Sequence, residues 1–255
     1  MTTDRDLLLS SMPRITAALQ GLVRDLEVTN DQWLVVLGFL TEVGREDEFV
    51  LLSDVLGVSR IVDDQTHAAW DGTSSNVLGP FYRPGAPLID NPGSIVREAG
   101  SGAPIWLSGS ITDAASGDAL PGAVVDVWQA DTTGVYSNED ARLDPWNLRG
   151  RQLADADGRF AIETVRPRHY TVKHDGPVGR LLATLGRHPF RPAHIHLMVE
   201  MAGYRTLVTQ AYIAGGPYLD DDAITGVKSD LVVGVVDGAI RFDVALVRDP
   251  GKAKA

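Results

Sequence analysis

The chain contains 255 residues, of which 44% are apolar, so it is long enough for one large domain or for one domain with an additional segment. Its formal net charge of -11 argues against a nucleic-acid partner, because phosphate recognition requires a clustered basic surface. The absence of cysteine excludes disulfides and thiolate metal sites and predicts a cytoplasmic protein. No apolar stretch has membrane-spanning length and the first residues are acidic, so neither a membrane span nor a secretory signal is predicted.

The first third of the chain is predicted to be helical. Apolar residues recur at steps of three and four from Leu8 to Leu26, which is the spacing of one helix face. Thr29 and Gln32 resemble a capping box at the start of a second helix, which Gly44 would end. A third predicted helix carries the apolar residues Phe49, Leu52, Leu56 and Ile61.

The composition changes after these helices. Residues 71–102 are rich in glycine, proline, serine and asparagine, which predicts a long ordered loop. From Ile105 onward apolar and polar residues alternate, and this period of two predicts short strands separated by turns. The predicted strands lie at residues 105–111, 124–128, 159–162, 170–173, 194–200, 205–213 and 239–247. The expected fold is therefore mostly β: an antiparallel β-sandwich at 105–250, preceded by a helical region at 1–75 and a connecting loop at 76–104.

Two histidines separated by one residue provide the most specific chemical signal. His194 and His196 lie in the apolar run that follows Arg191-Pro192-Ala193, and in a strand their side chains point to the same face. Two imidazoles that converge from one strand can bind a metal ion. No histidine follows His196 and the chain has no cysteine, so the other ligands would be oxygen donors or upstream histidines.

Three interpretations of this pair remain open from the residues alone. The two side chains could be ordinary strand histidines without a metal. A cupin would match the spacing to Glu200, but it needs a further histidine downstream, which the chain lacks. The phenolates of Tyr136 and Tyr170 are hard anionic donors that suit Fe(III), although spacing alone does not establish ligation by tyrosine.

Several motifs together resemble the intradiol ring-cleavage dioxygenases, the non-haem Fe(III) enzymes that open catechols between the two hydroxylated carbons. The matching segments are 51–59 (LLSDVLGVS), 79–82 (GPFY), 124–130 (VVDVWQA), 148–151 (LRGR) and 191–196 (RPAHIH). The resemblance implies Fe(III) as the cofactor and a small aromatic diol or triol together with O2 as the substrates. It also implies that the N-terminal helices join two copies into a homodimer, and in some relatives these helices hold a lipid.

The resemblance further implies roles for individual residues. The expected iron ligands are Tyr136, Tyr170, His194 and His196. Tyr170 is expected to leave the metal and act as a general base, while Tyr136 remains bound. The expected catalytic residues are Tyr170, Arg191 and Gln210, of which the last two match residues that face the substrate. The expected substrate-binding residues are Ile61, Asp63, Val77, Leu78, Gly79, Pro80, Phe81 and Arg191.

The substrate is expected to be hydroxyquinol (benzene-1,2,4-triol), cleaved to 3-hydroxy-cis,cis-muconate, which tautomerises to maleylacetate. Within the family, residues 174–177, 186–191 and 218–228 are most similar to the hydroxyquinol 1,2-dioxygenases. Gln210 and Tyr212 instead resemble the catechol and chlorocatechol branches, so cleavage of those diols is the alternative. A non-catalytic β-sandwich binding module is a more distant alternative. Asp63 is the predicted partner of the third ring hydroxyl, since an unpaired hydroxyl in an apolar pocket is unfavourable.

Overall fold

The computed structural model describes residues 3–98, 102–249 and 251. The chain divides into two compact units, Met1–Phe49 and Val50–Ala255. The helices are α1 (Asp4–Asp25), α2 (Asn30–Arg45), α3 (Phe49–Val55), α4 (Val58–His67) and α5 (Pro177–Thr184), with a short 3-10 turn at Ser229–Leu231. Within the described ranges, no helix combines the length and the apolar character needed to cross a bilayer.

Capping boxes begin both long helices. At the start of α2 the Thr29 side chain accepts a hydrogen bond from the backbone N–H of Gln32, and the Gln32 side chain accepts one from the Thr29 N–H. This confirms the predicted cap. An equivalent box of Thr3 and Asp6 begins α1, and it was not predicted from the sequence. Each box satisfies backbone donors that the first helical turn leaves unpaired.

The prediction of a single third helix is wrong, because the segment forms the two short helices α3 and α4. Gly57 separates them with a φ of 72°, in the left-handed region, and its N–H donates to the Asp54 carbonyl. Glycine adopts this conformation without the steric penalty of a Cβ atom, so it ends α3 and turns the chain into α4.

Thirteen strands were identified in the part of the chain that the structure describes, and many are short. They are β1 (Leu88–Ile89), β2 (Gly93–Ser94), β3 (Pro104–Asp113), β4 (Val124–Gln129), β5 (Arg149–Leu153), β6 (Arg159–Val165), β7 (Tyr170–Thr171), β8 (Phe190–Arg191), β9 (His194–Glu200), β10 (Leu207–Ile213), β11 (Val232–Val233), β12 (Ala239–Arg241) and β13 (Val244–Leu246). Strand β9 has the predicted bounds. Strands β1 and β2 lie in the segment predicted as a loop, and the predicted strand at 239–247 is two strands. The sequence did not predict β5, β8, β11 or α5.

The strands form two larger sheets and one small ribbon. One sheet has the order β1-β5-β4-β9-β10-β11, and the other has the order β12-β3-β6-β2 with β13 also paired to β3. The long strands pair antiparallel, as predicted, whereas the short strands at the sheet edges pair parallel. Strands β7 and β8 form the separate antiparallel ribbon, which pairs Tyr170 with Arg191.

One hydrophobic cluster contains buried residues from both larger sheets, including Leu107, Ile111 and Ile162 from one sheet and Val125, Val127, Ile195, Leu197 and Val199 from the other. Because strand side chains alternate, the odd-numbered residues of β9 that enter this cluster leave His194 and His196 on the opposite face. Trp128 on β4 projects from that opposite face as well. The core therefore fixes which face of the sheet carries the histidine pair.

Candidate metal centre

The two histidines of β9 converge at the predicted position. Both side chains are buried, and their Nε2 atoms lie 3.1 Å apart. Two nitrogens bonded to one metal ion at about 2.1 Å, roughly at right angles, lie about 3 Å apart. The Nδ1 atom of His194 lies 2.7 Å from the Pro192 carbonyl, which accepts its proton and leaves the Nε2 lone pair free.

Burial keeps both imidazoles neutral, which is the form that binds a metal ion. The pKa of His194 lies well below its usual value because of burial and because Arg191 is close. The pKa of His196 is lowered in the same direction by burial and by His194. Neutral imidazole retains a lone pair for coordination.

Both predicted tyrosines reach the histidine pair from outside the large sheet. Tyr170 begins the two-residue strand β7, and its hydroxyl lies 3.5 Å from His194 Nε2. Tyr136 follows β4 in a loop, and its ring centre lies 5.2 Å from that of Tyr170. Gly134 allows this approach, because a Cβ atom there would lie 2.8 Å from the His169 carbonyl.

The Tyr136 hydroxyl shows that this set of side chains fits a metal ion. It is fully buried and has no hydrogen-bond partner among the described residues. Burial, together with Tyr170, raises the pKa of Tyr136 well above its usual value, so the phenolate requires a nearby cation. A hard trivalent cation bound by two phenolates and two neutral imidazoles would satisfy both requirements.

Aromatic rings pack closely around the four side chains. Trp128 stacks on His196 with ring centres 4.7 Å apart and an interplanar angle of 11°. Phe81 stacks on Tyr136 with ring centres 4.2 Å apart. These contacts hold the rings of two predicted ligands and exclude water from one side of the cluster.

A buried arginine adjoins the cluster. Arg191 Nη1 lies 3.3 Å from His194 Nε2 and donates to the Tyr170 hydroxyl at 3.4 Å, while Nη2 donates to Gln210 Oε1 at 3.0 Å. Gln210 lies on β10 directly opposite His196, and its Nε2 donates to the Val77 carbonyl. The structure therefore brings Arg191 and Gln210 together beside the predicted ligands, as expected from the sequence.

Comparisons with known proteins agree with this geometry. The family model described as Dioxygenase matches residues 77–241, and the model described as Catechol dioxygenase N terminus matches residues 9–73. The chain belongs to the intradiol ring-cleavage dioxygenase family. It is 40% identical to a hydroxyquinol 1,2-dioxygenase of Rhizobium sp. (strain MTP-10005), over 87% of this chain and 77% of the relative.

Two further proteins place the dioxygenase within the family. It is 38% identical to a catechol 1,2-dioxygenase of Candida albicans, over 82% of this chain and 72% of the relative. A solved hydroxyquinol 1,2-dioxygenase from Pseudomonas putida DLL-E4 superposes with a TM-score of 0.90 at 34% identity, covering 97% of this chain and 94% of that chain. The dioxygenase is thus an enzyme that opens an aromatic ring between two hydroxylated carbons.

The partner of the buried arginine in the dioxygenase was not predicted from the sequence. Asp222 Oδ1 accepts from Arg191 Nε at 3.2 Å, and Asp222 Oδ2 accepts from Nη2 at 3.3 Å. The same carboxylate accepts a hydrogen bond from the Gly226 N–H at 2.9 Å. Burial alone would disfavour the positive charge of Arg191, but the Asp222 carboxylate keeps the pKa of Arg191 above its usual value. The three consecutive aspartates at 220–222 indicated a candidate partner for a buried cation in the sequence, but only the fold determines that Asp222 is the buried one.

Loss of this partner is expected to destabilise the dioxygenase strongly. Asp222→Asn should lower the free energy of unfolding by about 3–5 kcal/mol, because the Arg191 charge would stay buried without its counter-ion. Urea denaturation measures the change. Asp221→Asn is the matched control, since that side chain is 79% exposed and its pair with His188 contributes less than about 1 kcal/mol. Equal losses in the two variants would contradict the role of Asp222.

The predicted pocket wall of the dioxygenase divides into two groups. Three of its residues adjoin the cluster. The Val77 carbonyl accepts a hydrogen bond from Gln210, and the Phe81 ring stacks on Tyr136. Gly79 lies against His196, since an added Cβ there would be 3.3 Å from His196 Cε1. The other three are exposed, namely Ile61, Leu78 and Pro80. Their expected role in substrate binding requires that a bound substrate covers these exposed side chains.

The structure does not support the predicted role of Asp63. Its carboxylate accepts hydrogen bonds from Lys228 Nζ at 2.9 Å and from Ser75 Oγ at 2.8 Å, and it lies 2.9 Å from His67 Nδ1. These three partners account for the low exposure of the Asp63 side chain in the middle of α4. Asp63 therefore belongs to a polar cluster with Lys228, Ser75 and His67. The sequence does not reveal this cluster, because Lys228 lies 165 positions further along the chain.

Proposed function

We propose that the protein binds Fe(III) through Tyr136, Tyr170, His194 and His196 and uses O2 to open hydroxyquinol between carbons 1 and 2. The observation that carries the proposal is the convergence of two neutral, buried imidazoles with two phenols, one of which has no hydrogen-bond partner in the part of the chain that the structure describes. The product would be 3-hydroxy-cis,cis-muconate, which tautomerises to maleylacetate. Both atoms of O2 enter this product.

The bound iron would supply a Lewis acid that favours the deprotonated substrate and makes its ring reactive toward O2. Tyr170, in its phenolate form, would take the proton of a ring hydroxyl, and its oxygen lies 3.5 Å from His194 Nε2 on the short β7–β8 ribbon. Arg191 carries a permanent positive charge within 3.4 Å of the same hydroxyl. It would stabilise negative charge on Tyr170 and on the substrate oxygens.

Gln210 would orient Arg191 during the reaction. Its side chain accepts from Arg191 Nη2 through Oε1 and donates to the Val77 carbonyl through Nε2, so both ends of the amide are fixed. The Tyr212 hydroxyl donates to the same Oε1 at 2.6 Å. Such partners hold a charged group in place before the substrate arrives, which is the condition for effective electrostatic stabilisation.

Hydroxyquinol is the proposed substrate because relatives that act on it match this chain over most of its length. Catechol is the second candidate, supported by the catechol 1,2-dioxygenase relative. Chlorocatechol remains an alternative from the sequence.

A panel of three substrates tests this choice. We expect kcat/KM for hydroxyquinol to exceed those for catechol and 4-chlorocatechol at least tenfold, or about 1.4 kcal/mol. Mass analysis of the products identifies the bond that is broken. A tenfold preference for either diol would overturn the substrate while leaving intradiol cleavage intact. Cleavage beside the two hydroxyls, rather than between them, would contradict the reaction itself.

The finer organisation of the chain also belongs to the proposal. We place a β-sandwich that binds Fe(III) at residues 105–250, a pocket-forming connection at 76–104 and a helical dimerisation region at 1–75. The predicted apolar stripe of α1 is exposed, with Ile15 at 47% and Leu22 at 53%, which supports a homodimer in which a second copy or a lipid covers it. A cytoplasmic location stays a prediction from the cysteine-free composition.

A further inference from the structure

The segment Arg149-Gly150 was among the motifs that the sequence singled out, yet the proposed function gives it no role. Arg149 begins β5, and only 1% of its surface is exposed. A buried arginine normally faces a carboxylate, as Arg191 faces Asp222. The contacts of Arg149 are of a different kind.

All three hydrogen bonds described for the Arg149 side chain go to neutral oxygens. Its Nε donates to Ser137 Oγ at 2.8 Å, Nη2 donates to Asn138 Oδ1 at 2.8 Å, and Nη1 donates to the Phe81 carbonyl at 2.6 Å. Burial lowers the pKa of Arg149 to about 10, so the side chain remains charged at neutral pH. This charge is solvated by dipoles and has no hydrogen-bonded anion in the described part of the chain.

The same three bonds surround Tyr136. Ser137 and Asn138 directly follow this tyrosine, and Phe81 stacks on its ring. The guanidinium carbon of Arg149 lies 5.8 Å from the centre of the Tyr136 ring. The carboxylates of Asp126 and Glu139 also favour the Arg149 charge, but neither is hydrogen-bonded to its guanidinium among the described residues. Among the described residues, a buried cation without a hydrogen-bonded anion therefore lies beside a buried phenol without a hydrogen-bond partner, so a phenolate at Tyr136 would face a positive charge.

We propose that Arg149 is a positioning residue that fixes the Tyr136 ring and supplies the counter-charge for its phenolate when iron is bound. The inference rests on the proposed function. The inference gives the two tyrosines different electrostatic surroundings. Arg191 lies beside Tyr170, and its charge is already paired with that of Asp222. Tyr136 is held by an arginine whose charge is not balanced in this way, which favours a tyrosinate that stays on the metal.

A matched pair of substitutions tests the role of the charge. Arg149→Gln removes the charge and Arg149→Lys keeps it, while both lose the planar fork of donors. In the iron-loaded Gln variant, the tyrosinate-to-Fe(III) absorption band should move to longer wavelength, because a phenolate without a nearby cation gives up its electron more readily. Iron affinity should fall about 10- to 100-fold. The Lys variant should keep the wild-type band position.

Melting temperatures with and without iron provide a second readout. The rise on adding iron should be smaller in Arg149→Gln than in Arg149→Lys, whereas a purely structural role would lower the iron-free and iron-loaded values alike. Arg151→Gln is the control on the same strand, because Arg151 donates to the Ala86 carbonyl and should leave the band unchanged.

The outcomes separate this inference from the proposed function. A wild-type protein without an Fe(III) band would overturn both. A wild-type band that moves equally in the Gln and Lys variants, or in neither, would overturn the role of Arg149 alone. If Arg149→Gln does not fold, Arg149→Lys still decides, since a displaced band in that charged variant contradicts the counter-charge.

Discussion

Replacing His196 with alanine is expected to abolish iron binding and ring cleavage while the fold is retained. The side chain lies on the face of β9 opposite the hydrophobic cluster, so the core that joins the two sheets does not contain it. The loss of iron affinity should exceed the roughly 10- to 100-fold effect of substituting a residue that only contacts a ligand. Iron content per chain, activity and the circular dichroism spectrum measure the three effects. His194→Ala should behave in the same way.

His188→Ala is the matched control for these variants. His188 pairs with Asp221 at the surface and is not a predicted ligand, so its loss should leave iron content unchanged. Full iron occupancy in either His194→Ala or His196→Ala would contradict the proposed ligand set.

The two tyrosines are expected to differ when each is replaced with phenylalanine. Tyr136→Phe should lose most of the iron, because this ring is fixed by Phe81 and Arg149 and would remain bound throughout the reaction. Tyr170→Phe should keep part of the iron and one tyrosinate band, but activity should fall by at least about 100-fold, the lower range for loss of a general base. Iron content, the visible spectrum and kcat measure the difference.

Tyr204→Phe provides the control for removing a buried hydroxyl. Tyr204 donates to Asp113 at 2.8 Å and has no contact with the predicted ligands among those described, so both iron and activity should persist. Equal losses of iron and activity in Tyr136→Phe and Tyr170→Phe would contradict the assigned roles.

The sequence predicted correctly those features that depend on interactions between residues close together in the chain. The Thr29 cap and the alternation in β9 depend on neighbouring residues only, and both are present as predicted. The same alternation placed His194 and His196 on one face. Gly57 was not recognised as a break between helices, because glycine within a short apolar pattern does not reveal its φ angle.

The parts of the site that were missed depend on contacts between distant residues. Asp222 meets Arg191 across 31 positions of the chain, and Arg149 meets Phe81 across 68. The sequence predicts Asp63 as a substrate contact, whereas in the structure Lys228, far along the chain, binds its carboxylate. No periodicity encodes such pairings. Tyr136 and Tyr170 were found through the resemblance to the family, and the structure then supplied the physical reason why they fit a metal ion.

The visible absorption spectrum of the purified protein, recorded together with its metal content, tests the central claim most directly. Fe(III) held by Tyr136 and Tyr170 should give a tyrosinate charge-transfer band whose intensity rises in proportion to bound iron and changes when hydroxyquinol is added without O2. A colourless protein that is fully occupied by zinc, or that takes up no ferric iron, would contradict the account.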